Sequence, residues 1–444
     1  MGRSRKRKLP QELVKTTIDA LSHDGRGVAH IEGKAVFIHG ALPGESVSFR
    51  YTRTQKKFDE GEVVEVYERS SVRVEPECDH FGLCGGCSLQ HLATEAQIEA
   101  KQQALLDAFQ RIGKVTPKNI LPALTCNSSF GYRRKARLGS KYVFKKGKVL
   151  VGFRERGAPY VADLSLCKVL HPKVGELIEP LSQLIQSLTI KERVPQIEMA
   201  MGDTQCVLIF RLLSAPDEND EQKLLAFGEK HDIAIYTQLA GPDSVTPLNG
   251  NPVDLIYELP AYDLCMHFLP NDFTQVNSEL NRLMIDHALT LLDIEAEDRV
   301  LDLYCGLGNF TLPMARKAAE VVGVEGDSGL VARARENAQR NAITNSRFFT
   351  ANLYESLEKE PWLLEQFDKV LLDPPRSGSI EILEHLPKLG ARRIVYVSCY
   401  PGTLARDAGE LVHRYGYELI SAGVMDMFPH TAHVESIALF EKRK

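Results

Sequence analysis

No apolar run in this sequence approaches the roughly 18 to 20 residues that a membrane helix needs. The basic opening MGRSRKRKLPQ is followed by no apolar stretch that could serve as a signal core. Export and membrane insertion are therefore not expected, and the cytoplasm is. Aromatic residues make up only 7% of the chain, beside 25% charged and 43% hydrophobic residues, a balance that excludes bulk disorder, collagen and low complexity. Internal repeats of the solenoid kind are lacking too. The nine cysteines, at 78, 84, 87, 126, 167, 206, 265, 305 and 399, are an odd number scattered along the chain, which does not suit a disulfide framework. Reduced thiols are the expected state.

The formal net charge of −5 points away from nucleic acid until it is divided along the chain. Residues 1–60 hold 12 Lys and Arg against 7 Asp and Glu, so the front is net +5 and the rest net −10. Residues 131–156 hold 10 Lys and Arg against Glu155 alone, with Tyr132, Tyr142, Phe144 and Phe153 interleaved. Cations supply phosphate contacts and aromatic rings stack on bases, so this stretch reads as an RNA-contacting hairpin, the alternative being a merely solvated one.

At 444 residues the chain has room for about three domains. Residues 13–71 alternate in short strands between the Gly turns HDGRG, IEGK and LPGE, the pattern of a small OB-like β-barrel. Residues 72–268 mix strands and helices as an α+β region, opened by a predicted helix over 93–112 with Ile98, Leu105, Leu106, Phe109 and Ile112 at helical spacing. Residues 269–444 alternate β and α: RVLDLYC, helix, EVVGVEGD, helix, KVLLDPP, helix, RRIVYVSCY. Short apolar strands separated by helices predict a parallel, Rossmann-like sheet covered on both faces. Tyr417–Met425 and Val434–Phe440 leave no room for a helix between them and predict an antiparallel hairpin at the edge of a seven-stranded sheet.

The segment VLDLYCGLGNF, Val300 to Phe310, sets a Gly-rich turn at the carboxyl end of a strand, where open α/β sheets bind ligands. Glu325 ends the next strand, 19 residues beyond Gly306, placed to accept the hydroxyls of an adenosine ribose. Thr311 stands where a dinucleotide fingerprint needs a small residue, so a nucleoside without phosphates fits better than NAD. LDLYCGLGN and the later LLDPPR, residues 371–376, are similar to the first and fourth motifs of class I methyltransferases, and S-adenosyl-L-methionine is such a nucleoside. Arg376 follows Asp-Pro-Pro where enzymes that methylate an adenine amine have an aromatic, which disfavours adenine. Cys399, 26 positions after Asp373, ends the following strand beside the same crevice. A thiolate there has a use: adding to carbon 6 of uracil, it makes carbon 5 nucleophilic enough to take a sulfonium methyl. A basic neighbour such as Arg406 would raise the thiolate fraction. Carbon 5 must then lose a proton, and PHTAHVESIALF offers His430, His433 and Glu435, of which Glu435 is the preferred base.

Taken together, these motifs resemble the RNA uracil carbon-5 methyltransferases over nearly the whole chain, most closely those acting on 23S ribosomal RNA. The resemblance implies Cys399 as nucleophile, Glu435 as proton acceptor and uracil 1939 as target; a monomer is expected. It implies donor contacts from Gln275 in an F-x-Q-x-N motif, Tyr304, Asn309, Glu325, Asn352 and Asp373. It identifies residues 13–71 as a TRAM domain, which the tRNA branch is expected to lack. Proline follows the tyrosine of SCYPGT directly, where relatives commonly have Asn-Pro.

Cys78, Cys84 and Cys87 lie in one Gly-rich stretch, ECDHFGLCGGC, and Cys167 in LSLCKVLH is a candidate fourth thiol. Four thiolates hold zinc or an iron-sulfur cluster, and the spacing does not separate the two. The resemblance implies a 4Fe-4S cluster with a structural, RNA-shaping role. The rivals are a tRNA uracil methyltransferase and a non-catalytic RNA-binding chaperone.

Overall fold

Two-residue alternation governs the front of the chain: Val36 and Ile38 in Lys34–His39, and Val47, Phe49 and Tyr51 in Ser46–Thr54, all turn inward. The computed structural model describes residues 9, 10, 12–355, 357 and 360–443. Among them, these strands join a six-stranded sheet in the order Val14–Thr17, Ser46–Thr54, Phe58–Glu68, Lys34–His39, Gly27–Ile31, Ala20–Leu21. It surrounds one core of Ile18, Ala29, Val36, Ile38, Ala41, Val47, Phe49 and Tyr51, the small barrel expected.

The chain folds as two compact units, Met1–Ala104 with Phe428–His433, and Leu105–Met427 with Val434–Lys444. The helix expected over 93–112 runs as α-helix over Thr94–Ala108 and closes in a wider π turn, Phe109–Gly113. Leu105 and Phe109 are buried as its spacing predicts, but Ile112 is 54% exposed, because the wider turn rotates it off the apolar face.

In the second unit, a six-stranded sheet runs Val245–Pro247, Ala234–Gln238, Cys206–Arg211, Gln196–Met201, Lys135–Val143, Lys148–Gly152. The basic stretch forms the hairpin Lys135–Val143 and Lys148–Gly152. Near its tip Phe144 is 72% exposed and meets Tyr142 edge-on with ring centres 5.0 Å apart.

The last sheet is ordered Ser346–Thr350, Glu320–Glu325, Arg299–Leu303, Lys369–Leu372, Arg393–Ser398, Glu435–Lys442, Tyr417–Met425, Asn119–Ile120. Its central strands are apolar on both faces: Val300, Leu301, Leu303, Val321, Val322, Val324, Val370, Leu371, Leu372 and Ile394 to Val397 are almost wholly buried. Two expectations change. The sheet has eight strands, because the two-residue strand Asn119–Ile120 pairs in parallel with Tyr417–Met425. The closing hairpin is not simply an edge: the last strand inserts between Arg393–Ser398 and Tyr417–Met425, pairing antiparallel with both. That insertion brings the chain's end to the nucleophile's strand.

Candidate active site

The strands Arg299–Leu303, Glu320–Glu325, Lys369–Leu372 and Arg393–Ser398 are parallel, so their carboxyl ends share one edge. Glu325 ends the second of them, while Tyr304, Asp373 and Cys399 follow the last residues of the others. Glu435, the first residue of the antiparallel last strand, arrives at the same edge from the opposite direction. Ser398 is paired with Ser436, so Cys399 and Glu435 stand one step beyond that pair, each the next residue outward.

The Gly-rich turn is shaped for a close ligand. Tyr304, Gly306 and Gly308 have φ of +66°, +55° and +95°, and a Cβ added at Gly306 would point into open space. The Glu325 carboxylate accepts from the Gly306 N–H at 3.1 Å and from the Asp327 N–H at 2.9 Å, which aims it at the turn. Beneath it Asp302 is fully buried; its Oδ2 accepts from the Thr311 hydroxyl at 2.5 Å, and its Oδ1 has no hydrogen-bond partner among the described residues. Burial, with Asp373 and Glu325 adding to it, pushes Asp302 up to about 8, and burial followed by Glu325 pushes Asp373 up to about 7. An open cradle, an orphaned buried oxygen and carboxylates whose crowding raises Asp302 and Asp373 fit a cationic nucleoside, which would offset their mutual repulsion.

The remaining predicted contacts are less uniform. Asn352 follows the end of the Ser346–Thr350 strand, and its side chain caps a turn through Tyr354 N–H and Glu355. Asn309 has its amide committed to Asn281 and to the Tyr257 hydroxyl at 2.8 Å. The Tyr304 hydroxyl shares a 3.0 Å bond with Ser379. Gln275 is half-buried on the approach to the helix Ser278–Leu292, whose N-cap is Asn277, and makes no side-chain hydrogen bond among the described residues.

At the nucleophile the electrostatics run against the expectation. Burial, then the charges of Glu435 and Asp373, push the half-buried Cys399 thiol up to about 11, while Arg376 opposes them. Burial raises Glu435, 4% exposed, well above the usual carboxylate range; Asp373 adds to this and Arg376 again opposes it. Arg406 is not the thiol's partner. Its guanidinium is bound to Asp407 at 2.7 Å and to the Ser377 carbonyl at 3.0 Å, which commits it to the loop after Asp-Pro-Pro.

Asp407, Tyr396 and Ser379 were not singled out from the sequence. The buried Asp407 carboxylate accepts from the Tyr396 hydroxyl at 2.6 Å and the Ser379 N–H at 2.7 Å, fastening the loop after Asp-Pro-Pro to the nucleophile's strand. Gly378 (φ +79°) lets the loop approach: a Cβ there would meet Arg406 Nη2 at 2.5 Å and Asp407 Oδ2 at 2.7 Å. A signal did exist, since Asp407 interrupts the apolar face formed by Leu404, Ala408 and Leu411.

Cys78, Cys84 and Cys87 lie along a run of short turns in the first unit, where the Gly86 N–H donates to Cys84 Sγ at 3.3 Å. The all-sulfur donor set suits zinc or iron-sulfur. Among the described residues, no group of three or more His, Cys, Asp or Glu side chains is arranged to hold a metal ion. Cys167 belongs to the second unit.

The family profile for tRNA (Uracil-5-)-methyltransferase matches residues 248–443, and that for the TRAM domain matches residues 12–64. A 23S rRNA (uracil(1939)-C(5))-methyltransferase RlmD from Alkalilimnicola ehrlichii is 53% identical over 444 residues, covering 100% of this chain and 99% of its own. The RlmD of Xanthomonas campestris pv. campestris is 54% identical over 446 residues and all of both chains. The chain belongs to the RlmD family. The crystal structure of the Pyrococcus abyssi tRNA (uracil-54, C5)-methyltransferase with S-adenosyl-L-homocysteine is similar to this RlmD-family fold at TM-score 0.73 and 25% identity, over 96% of this chain and 99% of that one. A likeness of that extent takes in the barrel, so the barrel does not separate ribosomal from transfer RNA enzymes, contrary to the expectation from sequence.

For an RlmD-family site the raised carboxylates have a measurable consequence. S-adenosyl-L-methionine carries a sulfonium charge that S-adenosyl-L-homocysteine lacks. A cation in the cradle favours the carboxylate forms, so the pKa of Asp373 falls on binding and a proton is released. Affinity for the sulfonium is then expected to rise with pH below about 7, by at most about tenfold per unit for each proton released. Calorimetry of both ligands from about pH 5.5 to 8.5 checks this: parallel profiles for the two would contradict it.

Proposed function

We propose that this chain transfers the methyl group of S-adenosyl-L-methionine to carbon 5 of uracil 1939 in 23S ribosomal RNA through a covalent adduct at Cys399. What supports this reading most is that the thiol and the buried carboxylate of Glu435 lie one step beyond a single pair, Ser398 and Ser436, at the strand ends that also carry Glu325 and Asp373. A scaffold has no use for a nucleophile and a base together.

The donor supplies an electrophilic methyl on a sulfonium. Cys399, its proton lost to water, adds to carbon 6; the electron pair displaced from the C5=C6 bond makes carbon 5 the nucleophile, which takes the methyl as the sulfonium carbon–sulfur bond breaks and S-adenosyl-L-homocysteine leaves. After transfer, Glu435 takes the proton of carbon 5, the C5=C6 bond re-forms, and the C6–S bond breaks to return the thiolate. A stacked uracil hides both ring faces, so the base must be flipped into the crevice, at a cost of a few kcal/mol. The exposed Phe144 and the lysines of its hairpin are suited to hold flanking RNA.

The likeness to the Pyrococcus tRNA enzyme keeps transfer RNA as a second reading, against which stands the much higher identity to ribosomal relatives. Mass mapping of 5-methyluridine in cells lacking the protein decides. Loss at uracil 1939 of 23S RNA is expected, and its retention there would overturn the reading.

Cys78, Cys84, Cys87 and Cys167 are the residues proposed to hold a 4Fe-4S cluster, with a structural role because methylating an activated uracil needs no electron transfer. The soft donor set and the N–H directed at Cys84 Sγ support it. Replacing Cys84 by alanine is expected to abolish iron binding and to lower folding yield or RNA affinity. Normal methylation by an iron-free Cys84→Ala protein would refute the role.

A further inference from the structure

Glu435 is preceded by a loop that belongs, from Phe428 to His433, to the first unit. Within that unit the loop is held by groups more than 300 residues away in sequence. Ser88 and Leu89 N–H both donate to the His430 carbonyl at 2.9 Å, and the Ala432 N–H donates to the Ser88 hydroxyl at 3.0 Å. Ala432 packs against the Leu42, Leu89 and Leu92 cluster. Lys101 Nζ donates to the Phe428 carbonyl at 3.0 Å.

Gln97, 1% exposed, is at the centre of this clamp. Its Oε1 accepts from the His430 N–H at 2.9 Å, its Nε2 donates to the Leu92 carbonyl at 2.8 Å, and the same nitrogen is 3.4 Å from His430 Nδ1. His430 has φ +65°, a left-handed conformation that a non-glycine residue keeps only when its surroundings impose it. A buried amide gripping both sides of a strained residue fixes where the chain leaves the loop. Two residues beyond His433 that chain delivers Glu435, whose backbone pairs with Met425 to close the hairpin.

We infer that Gln97 is a positioning residue for Glu435: it holds the loop so that the carboxylate meets the carbon 5 proton of the methylated adduct. The inference rests on the function proposed above. Addition of Cys399 and methyl transfer precede the step that needs Glu435. Loosening the loop should therefore slow only the elimination, in which the proton passes to the carboxylate, the C5=C6 bond re-forms and the thiolate leaves.

The test uses the full-length Gln97→Ala protein, ordinary RNA containing the target uracil, and a donor labelled in its methyl group. Turnover is expected to fall about tenfold while label enters RNA in the first turnover within about twofold of the unaltered rate. Labelled protein–RNA adduct should rise from a trace to a major species on denaturing gels. Turnover that falls without adduct, or does not fall, overturns the inference. Should Gln97→Ala fail to fold, Lys101→Met, which releases the Phe428 carbonyl, is read by the same criteria. If the unaltered protein does not methylate the RNA, the proposed function is wrong; if it does and neither variant traps adduct, only the role of Gln97 is.

Discussion

Cys399→Ser is expected to lower methyl transfer by on the order of 10⁴-fold or more and to leave no adduct with 5-fluorouracil RNA. The magnitude follows from the site. The thiol is already pushed up to about 11 by burial and by the carboxylates of Glu435 and Asp373, so only a small fraction is thiolate before the ligands arrive. The cationic donor offsets those carboxylates, and Arg376 acts in the same direction, which brings a thiol within reach of ionisation. A serine hydroxyl in the same surroundings starts several units higher and stays protonated. Without the anion, carbon 5 of uracil remains a poor nucleophile however well the donor is bound. Donor affinity measured on Cys399→Ser should therefore stay close to that of the unaltered protein. Intact turnover in that variant would remove the covalent step.

Glu435→Gln should separate the two halves of the reaction. Addition and methyl transfer do not need the carboxylate, whereas elimination does, so turnover is expected to fall by about 10² to 10⁴-fold while methylated protein–RNA adduct accumulates with ordinary RNA. The direction of its shift gives a second readout. Burial holds the proton on Glu435 above the usual carboxylate range, so the base form grows as pH rises. Elimination in the unaltered protein should rise with pH through that transition, and Glu435→Gln should lose the dependence. An amide variant that turns over normally, or loses turnover with no adduct, would assign the proton to another group.

Much of the arrangement was legible in the residues. The strand ends carrying Glu325, Asp373 and Cys399 followed from short apolar runs broken by Gly and Pro, because parallel buried strands are apolar on both faces and stop where polarity begins. The hairpin Lys135–Gly152 falls within the basic stretch 131–156 read as a hairpin. Arg406 shows where such reading fails. A cation near a cysteine in sequence is a possible neighbour for it, yet Asp407, the next residue, binds Arg406, and the cation acting on the thiol is Arg376, 23 positions before the cysteine. Asp407 escaped notice because its partners Tyr396 and Ser379 become neighbours only when the sheet and its loops pack.

The order of the segments and the chemical types at their ends, a ribose-seeking acid, an Asp-Pro-Pro, a thiol and a late carboxylate, were determined by sequence alone, since hydrophobic period and chain-breaking residues act locally. Which of those groups meet, and in what protonation state, was decided only in three dimensions. The register of Ser398 with Ser436 is set by a strand inserting between two others, and the raised pKa values of Cys399, Asp373 and Glu435 come from burial first and then from the charges the fold sets beside them, Glu435 and Asp373 at Cys399, Glu325 at Asp373 and Asp373 at Glu435. Water is removed from a group by everything packed around it, and no short stretch of sequence specifies that.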